Sequence, residues 1–342
     1  MPHRAFFAFV FPSLAAMIIF IALPIVSVAI QSFYVQHDKV IVQTEACSPF
    51  GGCKMQTRVD AEATAQLRRD EPLGKFNGFG TYLDRNHLAV DEVKAILSSA
   101  GSLSDIVWQF YNLPFYKALS FTLAYTFIVT PLAMALGFGI ALGVNTLSPL
   151  LKGPVIFFSL LPMIVTPLVG ALVVYWMVSS QGIVGASLQA LFNDPTLSLK
   201  SSLGLTWLTL LAYGVWHNAP FSFVVFYAGL QTVPADTLES AMIDGASRWD
   251  RIRFVIVPHL MPLATFVALV QLMDNFRVFE PIVGFSANAS ATSLSWAIYN
   301  DLNSQVDQLY GSAAATSMLT ILGVIILLSP VLIRTWREFN RR

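Results

Sequence analysis

Apolar positions along this chain gather into six long runs, at about 8–32, 118–143, 154–179, 203–228, 258–284 and 309–333. Each holds the roughly 20 residues that a helix needs to cross a bilayer. The pattern predicts an all-α polytopic membrane protein with six spanning helices. Pro24, Pro131, Pro162, Pro167 and Pro220 interrupt the runs. Proline is tolerated in membrane helices where neighbours satisfy the backbone groups it frees. Pro162 and Pro167 predict a kink in the third run, read either as functional surface or as ordinary packing irregularity. The first run reads as a retained helix rather than a cleaved leader. It is longer than a leader's apolar core and ends in the aromatic pair Phe33–Tyr34.

Composition agrees with the pattern. Of 342 residues, 55% are hydrophobic and 12% charged, against about 25% charged in a soluble domain. Acidic and basic residues balance at 20 each, yet half of the acidic ones lie between Asp38 and Asp105. This marks one water-exposed insert. The expected division is 1–33, an N-terminal segment with the first span; 34–117, an extracytoplasmic insert; and 118–342, a five-helix core. Short loops set the orientation. With the N-terminus inside, the cytoplasmic side holds Arg4, Lys152, Arg248, Arg251, Arg253, Arg334, Arg337, Arg341 and Arg342. The short loops near 180–202 and 285–308 hold only Lys200. Both termini and the loop 229–257 are then expected in the cytoplasm, and the insert outside.

The insert carries Cys47 and Cys53, separated by Ser-Pro-Phe-Gly-Gly. Two cysteines outside the cytosol around a turn predict a small disulfide-closed loop, worth roughly 2 kcal/mol. No further Cys or His set accompanies them, so no metal is expected. Asp60–Arg69 and Asp91–Ser98 read as short surface helices. A small folded cap, a partner-binding surface and an extended loop all fit the rest of this segment.

Polar residues inside apolar runs mark a solute path or a structural network. Asp274, Arg277 and Glu280 recur at i, i+3 and i+6 in LMDNFRVFE, so adjacent members approach on a helix face. Asp274, Asn275 and Arg277 are the leading path candidates, with Phe276 or Phe279 to stack on a sugar face; a structural ion pair is the competing reading. In the fourth run, Trp216 and Asn218 suit a polyhydroxylated solute. His217 ranks lower, and Tyr175, Trp176 and Gln181 equally suit an interfacial belt.

The loop 229–257 is compact and charged. Pro234-Ala235-Asp236-Thr237 predicts a helix start with negative charge at its positive end, and Gly245 permits a turn. Such a helix either enters a groove on a partner or lies on lipid headgroups. Leu230-Gln231, Pro234, Glu239-Ser240-Ala241, Asp244-Gly245-Ala246, Ile256-Val257-Pro258 and Pro262 together resemble the conserved cytoplasmic loop of binding-protein-dependent ABC importer permeases. The branch they resemble takes up carbohydrates, near the maltose and glycerol-phosphate permeases.

That resemblance, over about 8–335, implies a type I ABC importer transmembrane fold. It implies that Glu239, Ser240, Ala241, Asp244, Gly245 and Ala246 form a coupling helix docking on an ATPase. Ser240 departs from the usual Ala and stays small. Phe285–Ala289 replaces the usual Gly-Gly-Pro region. The implied partners are a second homologous permease, two cytoplasmic ATPase subunits that bind ATP and magnesium, and an extracytoplasmic solute-binding protein in a bacterial inner membrane. This chain itself carries no GxxxxGK[ST], HExxH or GxSxG motif, so it is expected to bind no cofactor and catalyse nothing. Its short basic clusters give no support to nucleic-acid binding. An ion-coupled transporter built on Asp274 and a scaffold that recruits a cytoplasmic protein are the alternatives.

Overall fold

A computed structural model describes residues 2–48, 52–99, 101–199, 202–303 and 309–339. The chain forms two compact units, Met1–Tyr116 with Ala297–Ile321, and Lys117–Trp296 with Leu322–Arg342.

The first unit opens with α1 (Phe9–Gln31), whose apolar surface is exposed along its length, as a helix set in lipid requires. Ahead of Pro24 the helix widens over Ile18–Ala22, and Leu23 N–H reaches the Ile18 carbonyl five residues back. Strand β1 (Tyr34–Val35) then pairs with the later β4 (Lys75–Phe76), and β2 (Ile41–Ser48) with β3 (Gly52–Val59), both antiparallel. The hairpin register sets Cys47 opposite Cys53; their side chains lie outside the described residues. Helix α2 (Ala61–Asp70) is capped by the Asp60 carboxylate, which accepts from Ala63 N–H at 3.0 Å. Helices α3 (Val90–Ser98) and α4 (Leu103–Tyr111) close a small core of Ala89, Ile96 and Leu113, joined by Ile106, Phe110 and Tyr116. The insert thus contains folded elements, including a hairpin and an α4 that the sequence reading lacked.

The second unit is helical. It takes most of α5 (Pro114–Thr146), then α6 (Pro149–Ile164), α7 (Pro167–Val178), α8 (Ile183–Phe192), α9 (Leu203–Leu230), α10 (Ala235–Ile243), α11 (Arg248–Phe276) and α12 (Glu280–Gly284). Helices α13 (Leu294–Leu302) and α14 (Tyr310–Phe339) give residues to both units. The third expected span, 154–179, is not one helix. It breaks at Val165 and Thr166, whose ψ values of 129° and 144° are extended, because Pro167 disfavours the helical region in the residue before it.

Among the described residues five stretches are long and apolar enough to cross a membrane: Phe9–Gln31, Pro114–Thr146, Pro167–Phe192, Arg248–Phe276 and Tyr310–Arg334. The expected count was six. Helix α9 has the length, 28 residues, but its Thr206, Tyr213, His217, Asn218 and Ser222 dilute its apolarity.

Packing within this unit runs along α9. Phe121, Tyr125 and Val129 of α5 meet Ala171, Leu210, Tyr213 and Ile282; further along, Ala141 and Val144 meet Phe223, Phe226 and Leu260. Lipid is as apolar as leucine, so close fit rather than water exclusion holds such helices together. Gly137 supplies one such close fit: a Cβ there would stand 2.5 Å from Ser222 Cβ and 2.6 Å from Phe223 N.

Candidate solute path and coupling loop

A cavity of about 430 Å³ opens between α5, α7, α9 and the α11–α12 junction. Tyr125, Tyr213, His217, Asn218, Asp274, Asn275, Arg277 and Glu280 supply its polar lining. Its size suits a small solute.

Side-chain amides hold the inner wall. Asn218 Nδ2 donates to Gly214 O at 2.8 Å and to Asn275 Oδ1 at 3.2 Å. Asn275 Nδ2 donates to Thr130 Oγ1 at 2.9 Å, joining α11 to α5. One turn earlier on α11, Gln271 Nε2 donates to Ser222 Oγ at 2.7 Å and Asn218 O at 3.1 Å. Gln271, Asn275 and Thr130 are each at most 3% exposed. A buried amide left unpaired costs about 1–3 kcal/mol, so this network fixes the register of α9 against α11.

The charged groups sit at the open side. Arg277 donates to Asp274 Oδ1 at 2.6 Å, with the two side chains 64% and 48% exposed. A pair so open to solvent contributes little to stability, about 0–1 kcal/mol. It orients the two groups. Glu280 does not continue their helical face, which corrects the i, i+3, i+6 expectation. Helix α11 stops at Phe276, Arg277 leaves helical geometry at ψ 29°, and Glu280-Pro281 starts α12. Ser293 Oγ donates to the Val278 carbonyl at 2.6 Å, satisfying backbone freed by that stop. Likewise Tyr213 OH donates to Pro167 O at 2.6 Å, tying the start of α7 to α9.

Of the six path residues expected, Asp274, Asn275, Arg277 and Asn218 meet at this cavity and Phe276 and Trp216 do not line it. Phe276 is 1% exposed and packs beside Gly323, where an added Cβ would stand 2.9 Å from its ring. Trp216 faces outward, 44% exposed. Tyr125, Tyr213, Thr130 and Gln271 were missed. Gln271 carried a signal, an amide inside an apolar run; Thr and Tyr are too ordinary in such runs to stand out.

The loop between α9 and α11 is built around α10. Pro234 and Asp236 start the helix. Its end has Schellman geometry: Ala246 N–H donates to Ala241 O at 2.9 Å and Gly245 N–H to Met242 O at 3.1 Å. Gly245 sits at φ +79° with open space around it, so its requirement is conformational. Ser240 Oγ bonds back to Asp236 O at 2.8 Å. That turns the hydroxyl onto its own helix and leaves an alanine-like outline. Glu239, Ser240, Asp244 and Gly245 are exposed, Ala241 and Ala246 half-buried. Helix α11 then opens on a capping box in which Ser247 and Asp250 exchange bonds.

A chain of membrane-length helices around a polar cavity, with a capped and exposed helix in one loop, is built as a membrane permease. It belongs to the family described as the binding-protein-dependent transport system inner membrane component, whose pattern matches residues 129–336. Its relatives include the trehalose transport system permease protein SugA of Mycobacterium tuberculosis, 28% identical over 71% of this chain and 76% of that one. The trehalose/maltose transport system permease protein MalF of Thermococcus litoralis is 29% identical over 62% and 71%. The structure is also similar to that of a bacterial ABC transporter that imports the acidic polysaccharide alginate. The TM-score is 0.60 at 19% identity, covering 81% of this chain and 96% of the other. At that identity the likeness shows the fold.

Proposed function

We propose that this chain is the permease subunit of an ATP-driven importer and forms the path for a sugar, sugar alcohol or related polyhydroxylated solute delivered by a binding protein. The observation that carries the reading is the cavity, where amides, phenols and a paired ion present donors and acceptors beside apolar ring faces. Hydroxyl-rich solutes need that mixture. Asn218, Asn275, Asp274 and Arg277 would contact the solute. Phe276 would support Asn275 from behind, and Trp216 would face lipid or a second permease.

In this reading Glu239, Ser240, Ala241, Asp244, Gly245 and Ala246 dock on one of two cytoplasmic ATPase subunits, which hold ATP and magnesium. The chain catalyses nothing itself. Closure of the ATPases moves α10, and α9 carries the movement toward the cavity as one 28-residue helix. The amide network makes α11 follow. A second homologous permease completes the path, the binding protein docks outside, and both termini lie in the cytoplasm of a bacterial inner membrane.

An ion-coupled transporter built on Asp274 would need that carboxylate free, and it is paired with Arg277. Mass spectrometry of gently solubilised membranes tests the proposal. Recovery of an ATPase and a second permease, with ATPase lost on Glu239→Lys, supports it; recovery of this chain alone after crosslinking overturns it.

A further inference from the structure

Helix α4 faces two ways. Ile106 and Phe110, one turn apart, turn inward onto the small core with Leu113 and Tyr116. Leu103, Val107 and Trp108 turn outward and are 81%, 67% and 65% exposed, and Leu97 of α3 is 64% exposed. Asp105 and Gln109, also one turn apart, form a separate polar edge. From Ala95 to Tyr116 the only charged residue is Asp105, whereas a water-facing surface would carry about one charge in four residues.

We infer that the Leu103, Val107 and Trp108 face lies in the boundary between lipid headgroups and acyl chains, anchoring the insert to the bilayer surface. The argument for lipid as the occupant is continuity with a spanning helix. Only Asn112 and Leu113 separate α4 from α5, and the Phe110 ring packs edge-on against Tyr116 in the first turn of α5 at 5.5 Å. Helix α5 has 33 residues, a rise of about 50 Å, against ~40–45 Å for a bilayer with its headgroup regions. Helix α5 is thus long enough for its Pro114 end to reach the headgroup region, and α4 lies two residues before that end. Trp108 stacks on Tyr111 at 5.8 Å and 20°, the kind of amphipathic ring that concentrates at this depth. An interfacial helix of this type binds by its buried apolar area.

The test is fluorescence of the full chain, purified with the subunits that accompany it and reconstituted in phosphatidylcholine–phosphatidylglycerol vesicles. The signal of the native protein minus that of Trp108→Phe isolates Trp108. Lipids brominated near the headgroup end of the acyl chain should remove about half or more of that signal, while aqueous acrylamide removes little. Moving the indole to the polar edge, by Gln109→Trp in the Trp108→Phe background, should reverse the two sensitivities. Quenching of Trp108 by acrylamide alone would show a water-facing surface, and quenching by neither would show a protein covering it. Either result overturns the proposal without touching the transport reading, whose own test is recovery of the ATPase.

Discussion

Asn218 donates to Asn275 at 3.2 Å, joining helices α9 and α11 across 57 positions of sequence. Asn275 passes the connection on to Thr130, so one amide serves two neighbours. Asn275→Ala should lower the thermal midpoint of the solubilised protein by the equivalent of about 1–3 kcal/mol, since Asn218 and Thr130 each lose a buried partner. Asn275→Asp should cost as much or more, because it keeps the acceptor and loses the donor. An unchanged midpoint in Asn275→Ala would remove the network from the account of α9–α11 packing.

The ion pair at the cavity mouth makes a different prediction. Both side chains are about half exposed or more, so Asp274→Ala and Arg277→Ala should leave assembly near normal. Uptake of the transported solute should fall about tenfold, the equivalent of ~1.4 kcal/mol in the barrier. Normal uptake in both variants would take the pair out of the path.

Gly245 separates conformation from contact. Its left-handed geometry disfavours a β-branched residue by about 1–2 kcal/mol, and Asn by less, while no neighbouring atom obstructs a side chain. Gly245→Val should weaken ATPase capture by roughly tenfold, and Gly245→Asn by clearly less. Equal loss in both would mean that a partner's surface, and not the backbone turn, excludes the side chain.

Asp301 offers a dependence on pH in the first unit. Burial raises its carboxyl above the ordinary 3.8, against the Ser312 hydroxyl and the nearby His87, which pull it down. The folded state then favours the protonated acid. Its contribution to stability is greatest below 3.8 and is lost as pH rises through the raised value. Asp301→Asn keeps an acceptor for Ser312 Oγ, now at 2.6 Å from Asp301 Oδ2. The variant should melt higher than the native chain at pH 7, with the gap closing as pH falls toward 3.8. A gap independent of pH would contradict this.

The two cysteines face each other in the hairpin register, and directly opposed residues lie within bridging distance. Thiol labelling of membranes should modify Cys47 and Cys53 only after reduction. Equal labelling before and after would contradict the bridge.

Much of the architecture was legible in the apolar runs, because helix length and bilayer thickness are tied together. The ends of α9 and α14 fall within a few residues of the expected runs, although α14 continues to Phe339. Local backbone chemistry was harder to read. Pro162 and Pro167 signalled a kink, but the extended Val165–Thr166 link is a full break. LMDNFRVFE looked like one helical face, and only the stop after Phe276 parts Glu280 from its neighbours. The hairpin at 41–59 was obscured by strands whose side chains are largely polar and lack clean alternation. Asn218 and Asn275 could be named from their types, but their pairing depends on helix rotation, which no period in the sequence reveals.

The separation of α6 from α7 bears on how such a subunit changes shape. Bending a continuous helix stretches its ladder, and each rung resists. Here the chain is already extended at Thr166, and Pro167 has no N–H to give to the turn before it. The two pieces therefore meet at an extended link, and rotation there works against the Tyr213 tether and the close packing of α7 on α12, where Gly284 meets Ala171 and Leu168. A shift of the Pro167 side of the cavity consequently strains no hydrogen-bond ladder continuous with α6.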